Sequence, residues 1–224
     1  MKTFVIVPAY NEEKTVAKVL EDLLKMGFDF VVVDDGSSDG TNRIVTRIIE
    51  EKKKGLLCKH LLNRGLGAAI KTGIEASLLQ GADVIVTFDA DGQHDPDDIN
   101  TVIKPIIDNE ADVAVGKRDF NEMPSSKKYG NQVMNLITTI FYGIKVGDSQ
   151  SGLRAFNRKA AKNIIINARD YGVSSEIIGE VKRHNLRFKE VPMKTIYTDY
   201  TMKKGTNLNE GLKILAKLIL NMFK

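Results

Sequence analysis

The sequence predicts an α/β domain built on a mostly parallel sheet flanked by helices, and three observations lead there. Short β-branched runs alternate with longer stretches of helical period, the pattern of crossover units that join parallel strands. The run Asp29–Asp34 is almost continuously apolar until it ends in acid, as a central strand buried on both faces requires. The chain is 224 residues long, 42% hydrophobic and 28% charged, which suits one large core and excludes fibrous, disordered and disulfide-stapled classes.

Strands are expected at 3–7, 29–33, 57–61, 84–88 and 113–116, with helices at 12–25, 41–53, 67–80 and 97–108 between them. After Gly116 the alternation stops. A polar loop, a helix over 131–142, a Gly-rich turn, a helix over 174–184 and a last strand over 187–196 read as a cap on the same core. No linker separates it, so residues 1–200 form a single domain.

Residues 201–224 read as a basic amphipathic helix. Asn207 and Glu210 form a capping box, and Leu212, Ile214, Leu215, Leu218, Ile219, Met222 and Phe223 supply an apolar face. Five Lys against one Glu in this segment equal the net charge of the whole chain, +4. Two readings follow: the helix lies on an anionic membrane surface, or it docks on the core or a second subunit.

The single Cys58 excludes an internal disulfide and points to a reducing compartment. His60, His94 and His184 lack zinc-ligand spacing, and a charge of +4 is too small for a surface that tracks nucleic acid. The N-terminus shows no signal peptide, and no apolar run reaches the roughly 18 residues that span a bilayer. A cytoplasmic protein, peripheral at the cytoplasmic face of a membrane, is the expectation.

Open α/β sheets bind ligands at the carboxyl ends of their strands. Here the successive strand ends carry Pro8 to Glu12, Asp34 to Gly40, Asn63 to Gly67 and Asp89 to Gln93, four polar tips on one rim. Asp89 and Asp91 stand two residues apart after a buried strand, and with Gln93 they offer hard oxygen ligands suited to Mg2+ or Mn2+. A calcium loop starting at Asp89 fails, because its sixth and twelfth positions hold His94 and Asn100. Asp35 is placed to accept from a nucleobase imide or ribose hydroxyl, whereas Asp39 reads as a helix cap. Arg64 can approach a ligand at a helix start. Arg118 closes the fifth strand on the same side, and Lys127, Lys128, Arg154, Lys203 and Lys204 are further cations suited to phosphate. Lys52 to Lys54 read as a solvated face.

Five strings, Val5 to Glu13, Val33 to Thr41, Asn63 to Ala69, Asp89 to His94 and Asp148 to Arg154, together resemble family 2 glycosyltransferases over residues 3–160. They look most like the dolichyl- and polyprenyl-phosphate hexosyltransferases. The resemblance implies the GT-A fold, with a Rossmann-like central sheet, a nucleotide-sugar donor (UDP- or GDP-linked), a divalent cation and a lipid-phosphate acceptor. By analogy Pro8, Tyr10, Glu12 and Asp35 hold the nucleoside, and Asp89, Asp91 and Gln93 arrange metal and diphosphate. Arg118 with Lys127 or Lys128 receives the acceptor phosphate, while Asp148 and Arg154 border the sugar and acceptor site. Asp91, Arg118 and Asp148 are the candidate catalytic residues. Two departures stand out: Met202 to Leu208 keeps the family's Gly but replaces its Arg, Ser and Lys, and no membrane-spanning helix follows.

An ionised phosphate monoester needs no strong general base, so Asp148 is expected to position rather than to abstract a proton. In-line displacement inverts the anomeric centre. Transfer to a sugar hydroxyl, which needs a base, and nucleotidyl transfer, which needs a triphosphate loop, are the rival activities. A non-catalytic nucleotide-binding or adaptor protein is the rival outside enzymes.

Overall fold

Val5, Val7 and Ala9 point to one side of the first strand and Phe4 and Ile6 to the other, and all five are buried. That alternation places β1 (Thr3–Ala9) in the middle of a sheet with apolar cover on both faces. It pairs in parallel with β2 (Asp29–Asp34) and β4 (Val84–Thr87), and β3 (Leu56–Lys59) adds outside β2. The computed structural model describes residues 1–121, 123, 125–168, 172–194 and 196. The helix expected over 201–224, with Lys203 and Lys204, lies outside the described residues.

Helices α1 (Val16–Lys25), α2 (Thr41–Lys52) and α4 (Asp98–Ile107) cover the Val5 face. The opposite face takes α3 (Leu66–Leu79), α6 (Arg158–Asn163) and α7 (Gly172–Arg183). In α1, Val16, Val19, Leu20 and Leu23 are buried, a helical stripe that turns its charged residues outward. The helix starts at Val16, later than expected. Asn11 adopts a φ of 55° and the Glu12 carbonyl accepts from Thr15 N and Val16 N, so a turn intervenes and carries Glu12 to the rim.

The C-terminal half is not a cap. Besides α5 (Ser125–Tyr142), it returns two strands to the sheet, β6 (Arg154–Asn157) and β7 (Phe188–Met193). The strand order is β3-β2-β1-β4-β6-β5-β7, with β6 antiparallel between β4 and β5 (Val113–Arg118). β7 then runs parallel outside β5. Neither β6 nor α6 was expected. β6 has four residues, and Arg154, Ala155 and Phe156 are all buried, so no alternation marks it.

The junction of the last three strands is pinned by one carboxylate. Asp112 accepts from Arg187 N at 2.9 Å, Arg187 Nε at 3.1 Å, Arg187 Nη2 at 3.0 Å and Asn157 Nδ2 at 2.8 Å. The hydrogen bonds from Arg187 hold its carboxyl at about 2, below the ordinary 3.8, despite burial acting the other way. Because the folded value is depressed, the stabilisation is complete above about pH 4 and is lost as pH falls toward 2. Asp112→Asn should cost about 1–2 kcal/mol at neutral pH, a figure trimmed for solvent screening of the Arg187 side chain. Urea unfolding checks this: the gap between wild type and variant should be present at pH 7 and shrink between pH 4 and pH 2. A gap independent of pH would refute it.

Candidate active site

A cleft of about 490 Å³ opens at the carboxyl ends of β1, β2, β4 and β5. The first wall comes from β1 and β2. Asn11 N donates to Ser37 Oγ (3.0 Å) and Ser38 N donates to Asn11 Oδ1 (2.9 Å), which tie the two strand ends together. Asp34 is fully buried and structural: it accepts from Ser37 N and Asn42 Nδ2, both at 2.9 Å. Gly36 sits at φ 76° with the Leu62 carbonyl carbon 2.6 Å from where a Cβ would stand, so only glycine lets the loop after β3 close over this turn. That loop delivers Asn63 and Gly65 to the cleft beside Asp35.

β4 delivers the acidic centre. Thr87 Oγ1 donates to Gly152 O (2.6 Å), drawing the backbone of the Ser-Gly segment against Asp89. A Cβ on Gly152 would run into the Asp89 carboxylate, so the glycine serves the close approach. Asp89 keeps 37% side-chain exposure to the cleft. The packing around it acts to raise its carboxyl, but the His94 hydrogen bond (3.1 Å) and the charges of His94, Arg154 and Arg118 outweigh that and hold it low. Asp91 is the opposite case. Burial and the Asp89 charge push its carboxyl up to about 6, although Gln93 N donates to it at 3.0 Å. Two carboxylates of opposite bias in one cleft form a centre short of positive charge. His94 packs against Phe88 with ring centroids 5.3 Å apart and ring planes tilted by 59°, and its Nδ1 has no hydrogen-bond partner among the described residues.

The cationic wall comes from β5 and α5. Arg118 donates from Nε (2.6 Å) and Nη2 (2.7 Å) to the two oxygens of Asp148, and its backbone N adds a third contact at 3.2 Å. Asp148 is completely buried, Arg118 only 15% exposed along its side chain. Nη2 also reaches Asn131 Oδ1 at 3.2 Å. The loop that carries Asp148 is clamped from two sides: Glu190 accepts from Gly147 N and Asp148 N, and Asn135 brackets it through Gly147 O (2.6 Å) and Ser149 N (2.8 Å). Lys127 lines the cleft next to Arg118, its ammonium pushed down by burial and by the Arg118 charge.

The structure brings Pro8, Tyr10, Glu12, Asp35, Asp89, Asp91, Gln93, Arg118 and Lys127 to this one cleft. Arg64 and Lys128 do not line it, and Arg64 contributes through its backbone N–H, which donates to Asp35. Asp148 and Arg154 also stay off the cleft wall. Arg154 is 2% exposed in β6 and donates to Ser174 Oγ at 2.6 Å. Burial lowers its guanidinium to about 10 even though Asp89 and Asp148 act to raise it, so it stays charged at neutral pH, an interior cation beneath two acids. Asn63, His94, Asn131 and Gln150 line the cleft without having been singled out. Gln150 and His94 lie inside the strings that carry the resemblance, which was the available signal. Asn131 had none. Among the described residues no three His, Cys, Asp or Glu side chains form a metal cage, and no helix is long and apolar enough to cross a membrane.

Comparison with known proteins bears on the fold and the family. The UDP-N-acetylglucosamine–dolichyl-phosphate N-acetylglucosaminyltransferase of Methanococcus voltae is 42% identical, covering 97% of this chain and 94% of that protein. The undecaprenyl-phosphate mannosyltransferase of Micrococcus luteus is 30% identical over 86% and 83%. Glucosyl-3-phosphoglycerate synthase from Mycobacterium tuberculosis, crystallised with Mn2+, UDP and phosphoglyceric acid, superposes with a TM-score of 0.72 over 97% of this chain and 76% of its own, at 16% identity, which establishes the GT-A fold. The family model described as Glycosyl transferase family 2 matches residues 4–165. With the fold, the strand-end strings and these relatives in agreement, the chain belongs to glycosyl transferase family 2.

Proposed function

We propose that this glycosyltransferase moves a hexose or N-acetylhexosamine from a nucleotide sugar to a dolichyl or polyprenyl phosphate, with inversion at the anomeric carbon. One observation carries the reading: a single cleft is lined both by the acidic pair Asp89 and Asp91 and by the cations Arg118 and Lys127. A donor diphosphate needs a cation between itself and carboxylates, and an acceptor monoester needs cations directly. The two named relatives take lipid phosphates as acceptors and differ in sugar, which supports the acceptor class.

The acidic pair fits Mg2+ or Mn2+. Asp91 is pushed up to about 6 by burial and by Asp89, so both carboxylates ionise together only at a cost that a dication removes. One or two carboxylates suffice when substrate phosphates complete the shell, with the Gln93 amide as a further oxygen. A cation held by these residues would supply positive charge against that growing on the departing nucleoside diphosphate.

Pro8, Tyr10, Glu12 and Asp35 hold the nucleoside wall, and Arg118, locked by Asp148, presents its guanidinium to the acceptor phosphate with Lys127 beside it. The attacking oxygen is already ionised, so the wall needs no base, and Asp148 is buried, paired and turned away. Arg154 steadies Asp89 and Asp148 from below. The acceptor chemistry puts the reaction at a membrane surface, and we assign it to the cytoplasmic face.

The test is a donor panel of UDP-glucose, UDP-N-acetylglucosamine and GDP-mannose with a short polyprenyl phosphate and Mn2+ or Mg2+, read by mass spectrometry. A single β-linked lipid product that disappears with chelator is expected. No lipid product from any donor, while nucleotide binding persists, would refute the lipid-phosphate acceptor and favour a sugar hydroxyl.

A further inference from the structure

The turn that carries Asp91 is held from outside the cleft. Gly92 adopts a φ of 75° between Asp91 and Gln93, and across this bend Gln93 N donates to Asp91 Oδ1 at 3.0 Å. The carbonyl of the same Gln93 meets the chain that leaves β7, where Ile196 N donates to Gln93 O at 2.9 Å. Hydrogen bonds therefore run from Ile196 through the backbone of Gln93 to the Asp91 carboxylate.

The exit of β7 is fastened a second time, two residues earlier. Lys194 N donates to Asp98 Oδ2 at 2.7 Å, and Lys194 Nζ stands 3.5 Å from Asp95 Oδ2. The two contacts differ in weight. The Lys194 side chain is 76% exposed, so its ion pair contributes little, whereas Asp98 is 7% exposed and its bond to a backbone N–H is short and costly to break. Both anchors are rigid: Asp98 opens α4, which buries Ile99, Val102 and Ile106 in the same core as Val191 and Met193 of β7. The stretch from Lys194 to Ile196 thus crosses from the sheet to α4 and touches the acidic turn at Gln93. Like charges on Asp89 and Asp91 repel, and a bend centred on glycine resists that repulsion weakly by itself.

We propose that Asp98, which does not line the cleft, is a positioning residue for the cation: by holding Lys194 N it keeps Ile196 N on Gln93 O, and so keeps the Gln93 amide on Asp91 in the arrangement in which the acidic pair shares one dication. This rests on the divalent-cation reading of the acidic pair. It deepens that reading by naming what fixes the pair from behind.

The experiment titrates Mn2+ into the full chain by electron paramagnetic resonance, with UDP and with GDP present, and measures binding of the same nucleotides without metal by calorimetry. The proteins are wild type, Asp98→Ala, Asp98→Asn, Ile196→Pro and Ile196→Ala. Loss of one such hydrogen bond is expected to weaken Mn2+ by about fivefold to tenfold in Asp98→Ala. Asp98→Asn keeps an acceptor oxygen and should stay within about twofold of wild type. Ile196→Pro removes the N–H that reaches Gln93 and should match Asp98→Ala, while Ile196→Ala keeps that N–H and should match wild type. Ile196 is 42% exposed, so neither of its variants opens the core. Nucleotide affinity without metal should stay within about twofold throughout, because the nucleoside wall lies on β1 and β2. A tie that served the fold alone would lower the unfolding temperature without separating Mn2+ affinity from nucleotide affinity, and that result overturns the proposal. So does Mn2+ binding within about twofold of wild type in Ile196→Pro, a variant that tests the contact even if Asp98→Ala does not fold. Absence of Mn2+ binding in wild type would instead remove the cation reading on which the proposal stands.

Discussion

Asp91→Asn is expected to lower sugar transfer by about 10²–10³-fold while leaving the unfolding temperature unchanged or raised. The two effects have one cause. Asp91 is crowded by burial and by the Asp89 charge, which push its carboxyl up to about 6, so the folded chain alone gains nothing from ionising it. Asparagine keeps the shape and the contact to Gln93 N but removes the charge that, on the proposed function, would hold the donor's cation. Initial rates on the active donor, with thermal unfolding of both proteins without added metal, check the prediction. A variant that transfers at more than about a tenth of the wild-type rate would remove Asp91 from the reaction centre.

Asp148→Asn should act in the opposite way on stability. It leaves the Arg118 guanidinium, 15% exposed, facing an amide in place of the carboxylate that meets it at 2.6 and 2.7 Å. Removing one member of a buried pair costs about 3–4 kcal/mol, or about 6–15 °C of unfolding temperature for a chain this size. The freed Arg118 no longer presents itself to the acceptor, so acceptor KM should rise more than donor KM. In the double variant Asp148→Asn with Arg118→Met both charges leave together, and much of the lost stability should return while transfer does not. An unchanged unfolding temperature in the single variant, or transfer restored in the double one, would show that the pair neither holds the loop nor serves the acceptor.

Both variants act through contacts of different legibility. Asp89, Gly92 and Asp91 are neighbours in the chain, and a strand that ends in acid announces its rim from local pattern alone. The same holds for Pro8 to Glu12 and for Asp34 with Asp35. The Arg118 to Asp148 pair spans 30 positions and the Asp35 to His60 pair 25, and nothing in composition or period says that these residues meet. Histidine at 60 and 94 reads as scattered until the fold sets each against an acid of the rim, His60 against Asp35 and His94 against Asp89.

What the sequence determined by itself was the alternation of strands and helices from β1 to β5, the buried central strands and the polar rim at their carboxyl ends. Burial on one face or two writes itself into residue period, and ligand-binding tips follow strand ends in chain order. Only the tertiary structure decided that β6 runs antiparallel between β4 and β5, that Arg154 lies in the interior rather than on the cleft wall, and that Asp148 is paired with Arg118 rather than lining the cleft. These are choices among partners distant in the chain. They are settled by which buried charges and strand edges satisfy one another, a condition that no local window of sequence contains.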